Sequence, residues 1–276
     1  MCPHKSARFV FSGFANYNTE LTPNVIKNER YLSLLNDSAD VPIEADFNRL
    51  ALLDEEGWTA NNHYHNSLLK YVPQNCENAL EIGCGTGVLA RELGKRSKRV
   101  VAIDMSEEMI RVARERAAGS EAAGIEVERI DAGMGNVEFV LADAMHWEFP
   151  REQFDFVCSV ATLHHLEQRE ILIKIRETLR PGGVLVVLDL VESSGFRERV
   201  MDVVGWGVST TLRLVRNGRL RPPPEVRKAW EQHGKHDHYA TVRQVRTLAD
   251  EILPGAVVKR CLLWRYELVY RKPAAD

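Results

Sequence analysis

Between Asn78 and Val191 the chain alternates short apolar runs with stretches of helical period. The apolar runs are Asn78–Gly83, Arg99–Asp104, Val137–Asp143, Phe154–Ala161 and Val184–Leu190. They are largely continuous and rich in β-branched residues rather than alternating with polar ones, as strands covered on both faces are. The intervening segments, Gly87–Ser97, Ser106–Gly119 and Gln168–Arg180, read as helices. Ser106 stands at an N-cap with Glu107 and Glu108 in the first turn, where carboxylates favour the helix dipole. Pro181-Gly182-Gly183 ends the third helix. Strand–helix alternation of this kind predicts a doubly wound, Rossmann-like α/β fold built on a mostly parallel sheet.

The flanks have another character. Residues 1–74 are polar and irregular, broken by Pro3, Pro23, Pro42 and Pro73, with amphipathic helices expected around Val25–Leu35 and Phe47–Glu56. They are expected to form an N-terminal helical cap. Residues 75–194 would be the core, and residues 195–253 a helical insertion or lid bent at Pro222-Pro223-Pro224. Within it, Gly195–Trp230 has eight basic residues against three acidic ones, a net +5. That surplus suits either a lid for an anionic substrate or a solvated helix face. Residues 254–276 hold two alternating runs, Val257–Leu263 and Arg265–Arg271, which make two terminal strands or one long bulged strand.

Composition narrows the function. The 276 residues are 45% hydrophobic and 27% charged, which excludes a disordered or collagen-like polymer. With 36 basic and 39 acidic residues the net charge is −3, so a general nucleic-acid partner is not expected. Five cysteines, at positions 2, 76, 84, 158 and 261, show no C-x-x-C spacing, as in a reduced cytosolic protein. The first residues show no signal-peptide pattern, and Val184–Val191 is far short of the roughly 20 residues that span a bilayer. A soluble cytoplasmic protein with no membrane partner is expected, as a monomer or homodimer.

The sharpest motif is Glu81-Ile82-Gly83-Cys84-Gly85-Thr86-Gly87, between the first strand and the first helix. Glycines there let the backbone approach a ligand, and the helix start supplies free N–H groups. Asp104 ends the second strand 21 residues beyond Gly83, where a carboxylate accepts ribose hydroxyls. An adenosine-containing ligand is implied. The dinucleotide spacing G-x-G-x-x-G/A would need Gly or Ala at Val88, whereas the third glycine is Gly87.

This E-x-G-x-G-x-G pattern resembles motif I of the class I S-adenosylmethionine (SAM) dependent methyltransferases. The resemblance extends over residues 78–194 and the terminal run Trp264–Pro273, and is nearest in style to small-molecule enzymes of ubiquinone and menaquinone biosynthesis. It implies a seven-stranded sheet with an antiparallel last strand, SAM as methyl donor and S-adenosyl-L-homocysteine as product. It also implies that Glu81, Gly83 and Gly85, with Cys84 and Gly87 in the same loop, line the methionine end of the donor. Asp104 would take the ribose hydroxyls, Met105 the adenine face, Asp143 the adenine amino group with Ala144 beside it, and Ser159 the amino-acid end.

Methyl transfer requires alignment and a base. His164 and His165 follow the fourth strand and are the candidate bases, with unperturbed pKa values near 6.5. His63, Tyr64 and His65, in the segment Trp58–His65, and Trp206 are candidate substrate contacts. His233, His236, His238 and Asp237 are expected as a solvated cluster, and no metal site is expected. No N/D-P-P-Y sequence follows the fourth strand, where Ser159-Val160-Ala161-Thr162 stands, which disfavours amino-methylation of nucleic-acid bases. A small-molecule acceptor remains, with the methylated atom O, N, S or C. The rivals are a non-catalytic SAM-binding module and a nicotinamide-dependent oxidoreductase. Glycine spacing and the lack of a Tyr-x-x-x-Lys dyad argue against the latter.

Overall fold

The computed structural model describes residues 43–53, 57–122, 134–234 and 237–274. Seven strands form one sheet: β1 (Cys76–Ile82), β2 (Ser97–Asp104), β3 (Val137–Leu141), β4 (Phe154–Val160), β5 (Leu179–Leu190), β6 (Val257–Cys261) and β7 (Arg265–Arg271). Their order is β3-β2-β1-β4-β5-β7-β6. Strands β1 to β5 pair in parallel, and β7 runs antiparallel to both β5 and β6. The chain winds outward from β1 to β3, then returns to the other side of β1 with β4. In open α/β sheets ligands bind outside the carboxyl ends of the strands at such a reversal.

The helices are α1 (Ile43–Leu52), α2 (His65–Leu68), α3 (Val88–Gly94), α4 (Glu107–Ala122), α5 (Gln168–Thr178), α6 (Phe196–Asn217), α7 (Pro224–His233) and α8 (Val242–Ile252). Successive strand residues face opposite sides of the sheet. Leu80, Ile82, Leu185 and Val187 therefore join one core cluster, with Ile171 and Ile175 of α5 and Val245 and Ala249 of α8. Ala79, Val184, Val186 and Leu188 join the other, with Leu89 and Leu93 of α3. The expected N-cap is formed, because Ser106 Oγ accepts the N–H of Met109 at 3.1 Å.

One expected boundary shifts. The helix placed at Phe47–Glu56 is α1, which begins four residues earlier, just after Pro42, with Glu44 and Asp46 in its first turn. The helix expected at Val25–Leu35 lies outside the described residues. The expected insertion 195–253 contains three helices, α6, α7 and α8. Its last helix, α8, buries Val242, Val245, Ala249 and Ile252 in the main core and is a crossover between β5 and β6. The terminal runs are two strands, turned by Leu263 and Trp264 with φ of 57° and 56°. Among the described residues no helix is long and apolar enough to cross a membrane.

Strand β7 lies between β5 and β6, and its Leu268 is 1% exposed and paired with Val187. Leu268→Ala is expected to destabilise the protein by roughly 2–5 kcal/mol, from lost burial plus a cavity. Urea unfolding of the variant and the parent measures it. A change within a few tenths would contradict this account of the core.

Candidate functional site

The glycine loop leaves β1 with the N–H groups of Gly83 and Cys84 both donating to Ile103 O, at 2.9 and 3.0 Å. Gly83, Gly85 and Gly87 have φ of 74°, 52° and 74°, a region costly for residues with a Cβ. Their surroundings differ. A Cβ on Gly83 would come within 2.1 Å of Thr162 Oγ1, and one on Gly87 within 2.7 Å of Phe139 Cε1. At Gly85 the nearest atom would be Met109 Sδ at 3.9 Å, so this glycine faces open space. Asp104, at the end of β2, closes the loop from beside it. Its Oδ2 accepts Gly85 N–H at 2.8 Å and its Oδ1 accepts Ser106 N–H at 2.9 Å. Burial raises the Asp104 pKa, and these N–H groups oppose the rise.

Glu81 is 2% exposed, and its Oε2 has no hydrogen-bond partner. Burial, aided by the nearby Asp104, pushes its pKa well above the carboxylate range. A buried carboxyl oxygen with nothing to bind calls for a donor from a ligand. An ammonium group fits that need, and the open face of Gly85 and the remaining lone pairs of Asp104 fit a nucleoside. The residues present therefore match SAM.

The other expected donor contacts have local duties. Ser159 is buried and its Oγ donates to Ile82 O at 2.8 Å, latching β4 to the start of the glycine loop. Cys84 is buried, and burial, with Asp104 and Glu81 nearby, raises its thiol pKa well above the usual value. Asp143 accepts Met145 N–H at 2.8 Å and pairs with His146 Nδ1 at 2.7 Å. Partial burial opposes its ionisation, but His146 and the Met145 N–H hold its pKa below the usual value. Ala144 is 8% exposed and belongs to the main core cluster; Met105 follows Asp104 and is partly exposed.

Beyond β4 the chain turns sharply. Ala161 has φ of 52° and donates its N–H to Leu188 O at 2.8 Å. This turn sets Thr162 against Gly83 and leads into a short helical turn at Leu163–His165. There His164 meets Asp189, a fully buried carboxylate near the end of β5. Asp189 Oδ1 lies 2.6 Å from His164 Nδ1, and Oδ2 accepts the His164 backbone N–H at 2.8 Å. The other ring nitrogen, His164 Nε2, lies 4.0 Å from Asp237 Oδ2.

His165 stacks beside His164, with ring centroids 3.8 Å apart. Burial and the neighbouring His164 lower its pKa to about 4, so this ring is neutral at physiological pH. The expectation that the His233–His238 segment is solvated is corrected for His233 and Asp237, whose side chains are only 6% and 7% exposed. His233 Nδ1 pairs with Asp46 Oδ2 of α1 at 2.7 Å, and the Phe47 ring packs against both His165 and His233. The physical reason is that α1 supplies a carboxylate and an aromatic face that a sequence reading does not place there. His238 is exposed, and His236 lies outside the described residues.

The substrate candidates are scattered. His63 is exposed and its ring packs edge-on against Trp58; Tyr64 donates its hydroxyl to Leu262 O at 2.9 Å. His65 opens α2, partly buried, and Trp206 is 53% exposed on α6. Residues not singled out from sequence do lie near the cluster. Arg265, 7% exposed, donates to Asn61 Oδ1 at 2.6 Å and feels the charge of Asp189, while its Nε has no hydrogen-bond partner. Asp189 had a readable signal: it is the one charge in the run Val184–Val191.

Comparison with known proteins identifies the family. Residues 80–187 match the family described as a methyltransferase domain. An uncharacterized methyltransferase of Mycobacterium tuberculosis is 30% identical over 222 residues, 79% of this chain and 99% of that protein. A demethylmenaquinone methyltransferase of Listeria monocytogenes is 30% identical over 121 residues, 42% of this chain and 46% of that protein. Among solved structures, the fold matches an N-methyltransferase, NodS of Bradyrhizobium japonicum in complex with S-adenosyl-L-homocysteine. It has a TM-score of 0.53 and 19% identity, over 84% of this chain and 98% of that one. The chain belongs to the class I SAM-dependent methyltransferases.

His65 offers a test of this placement. Burial lowers its pKa to about 4, below the ordinary 6.5. Protons then bind the unfolded chain more readily, so the stability present above pH 6.5 is lost as pH falls towards 4. The loss is on the order of 2–3 kcal/mol. His65→Gln is expected to flatten the pH dependence of urea stability between pH 6.5 and 4. An unchanged slope would mean that His65 is solvated.

Proposed function

We propose that this methyltransferase acts on a small-molecule acceptor, bound between the glycine loop and the cluster of His164, His165, His233 and Asp237. The observation that carries the reading is the buried His164–Asp189 pair, at 2.6 Å, on a loop that abuts the glycine loop through Thr162. A buried histidine oriented by a buried carboxylate is a device for moving one proton in a fixed direction. Support for a small acceptor also comes from a relative named for demethylmenaquinone, itself a small molecule.

The donor end follows from the side chains. Glu81, with its free Oε2, takes the ammonium group of the methionine moiety; Gly83, Cys84, Gly85 and Gly87 give it a backbone cradle. Asp104 binds the ribose hydroxyls with lone pairs that Gly85 and Ser106 leave over, and Met105 lies against the adenine. Asp143 and Ala144 meet the adenine edge, and Ser159 keeps β4 in register beneath the loop. Bound SAM supplies an electrophilic methyl group on a sulfonium. His164 Nε2 draws the proton from the acceptor's attacking atom, and the Asp189 carboxylate at Nδ1 steadies the imidazolium. Neutral His165, with Phe47 against its ring, lines one side of the acceptor's space. Holding the reactants in line can contribute roughly 7–11 kcal/mol, more than the proton transfer does.

Two variants separate the donor from the acceptor end. Asp104→Asn is expected to weaken S-adenosyl-L-homocysteine binding by about 1.5–3 kcal/mol, read by calorimetry. Unaltered affinity would remove Asp104 from the donor site. His164→Ala is expected to lower kcat by about 10²–10⁴-fold while S-adenosyl-L-homocysteine affinity stays near that of the parent. Parallel loss of affinity would make His164 a structural residue.

A further inference from the structure

Two kinds of contact coexist in the histidine cluster. His164 Nδ1–Asp189 and His233 Nδ1–Asp46 are tight, at 2.6 and 2.7 Å. Three others end on Asp237 and are wide. His165 Nδ1 lies 3.5 Å from its Oδ1, and His164 Nε2 and His233 Nε2 lie 4.0 and 3.8 Å from its Oδ2. Hydrogen bonds between such groups are 2.7–3.2 Å long, so these imidazoles surround the carboxylate without bonding to it. A spacing somewhat above 3 Å is what ligand atoms show around a shared cation. Bonds of about 2.0–2.1 Å put tetrahedral ligand atoms about 3.3 Å apart.

We infer that His164 Nε2, His165 Nδ1 and a carboxylate oxygen of Asp237 hold a divalent transition-metal cation. The three residues each offer a ligand atom within 4.8 Å of the others, so closing on an ion shortens the longest separation by up to about 1.5 Å, shared among three side chains. Two imidazoles and one carboxylate are a donor set suited to zinc or iron(II), and they leave coordination positions open. The outer contacts match as well. A metal-bound histidine commonly gives its other N–H to a carboxylate, as His164 does to Asp189; ligating carboxylates are themselves hydrogen-bonded, as Asp237 is by the Tyr239 hydroxyl at 2.7 Å. The side chains of His164, His165 and Asp237 are 4%, 8% and 7% exposed. They come from the β4 loop and from the segment after α7, far apart in sequence, which is why the sequence reading expects no metal here.

The inference replaces one step of the proposed function, the proton transfer given to His164 Nε2, and rests on that reading only for the cation's role. The Nε2 lone pair that takes a proton in the metal-free cluster takes the cation instead. An acceptor oxygen then binds at an open position, and the cation eases loss of its O–H proton to solvent water. The acceptor class is thus an oxygen acid such as a phenol, enol or hydroxy acid.

The test is calorimetric titration of the chelator-treated full-length protein with Zn²⁺, and absorption spectroscopy with Co²⁺. Asp237→Asn, His165→Gln and Asp189→Asn are compared after circular dichroism shows that each is folded. One Zn²⁺ per chain is expected, with a Co²⁺ spectrum free of thiolate charge transfer. Binding should be lost at the same concentrations in Asp237→Asn and His165→Gln, and weakened about 10–100-fold in Asp189→Asn. No saturable binding by the parent, undiminished binding by Asp237→Asn, or a thiolate band would overturn the inference. S-adenosyl-L-homocysteine is titrated in parallel. Its failure to bind the parent would overturn the donor site and leave the metal result standing.

Discussion

A single buried carboxylate organises the working end of this molecule. Asp189 has no exposed surface and sits near the carboxyl end of the interior strand β5. A charge so placed is tolerated only when its lone pairs are filled. Three N–H groups fill them: the His164 ring, the His164 backbone and the Leu190 backbone. The loop after β4 therefore has one place to go. The left-handed turn at Ala161 takes it there, and Thr162 then closes against the face of Gly83 that has no Cβ. One strand end thus brings His164 and His165 up to the glycine loop. Strain at Ala161 is of the kind that functional turns retain.

Helix α1 couples the histidine cluster to the start of α4 through three consecutive residues. Asp46 holds His233, Phe47 packs on His165 and His233, and Asn48 Oδ1 accepts the Ser106 hydroxyl at 2.6 Å. Ser106 caps α4 directly after the Asp104–Met105 pair. A displacement of α1 would therefore be felt both where the ribose is expected and where the acceptor is expected. The charge pattern agrees. Although partial burial opposes it, Asp46 stays below the ordinary carboxylate pKa because His233 and Arg49 face it.

Sequence made the sheet and the donor loop legible because both are local. Continuous apolar runs ending in glycines declare strands buried on two faces, and the glycine spacing of residues 83–87 is a backbone requirement written in adjacent letters. The acceptor side was only half legible. His164 and His165 could be placed after a strand, but their partners come from α1, β5 and the segment after α7. Nothing local announces that Asp46 will meet His233 across 187 positions. The polar segment His233–His238 read as surface because its burial depends wholly on those distant elements. Helix α8 was assigned to the lid for a related reason: its apolar stripe shows that it packs, not what it packs on.

The central claim is that the glycine loop and the His164–Asp189 pair are two walls of one site. The most direct measurement is a crystal structure of the protein with S-adenosyl-L-homocysteine. The account predicts the amino group at Glu81, the ribose on Asp104, and the sulfur facing the space in front of His164 Nε2 with no protein backbone between them. A ligand seated elsewhere, or a sulfur turned away from that histidine, would contradict it.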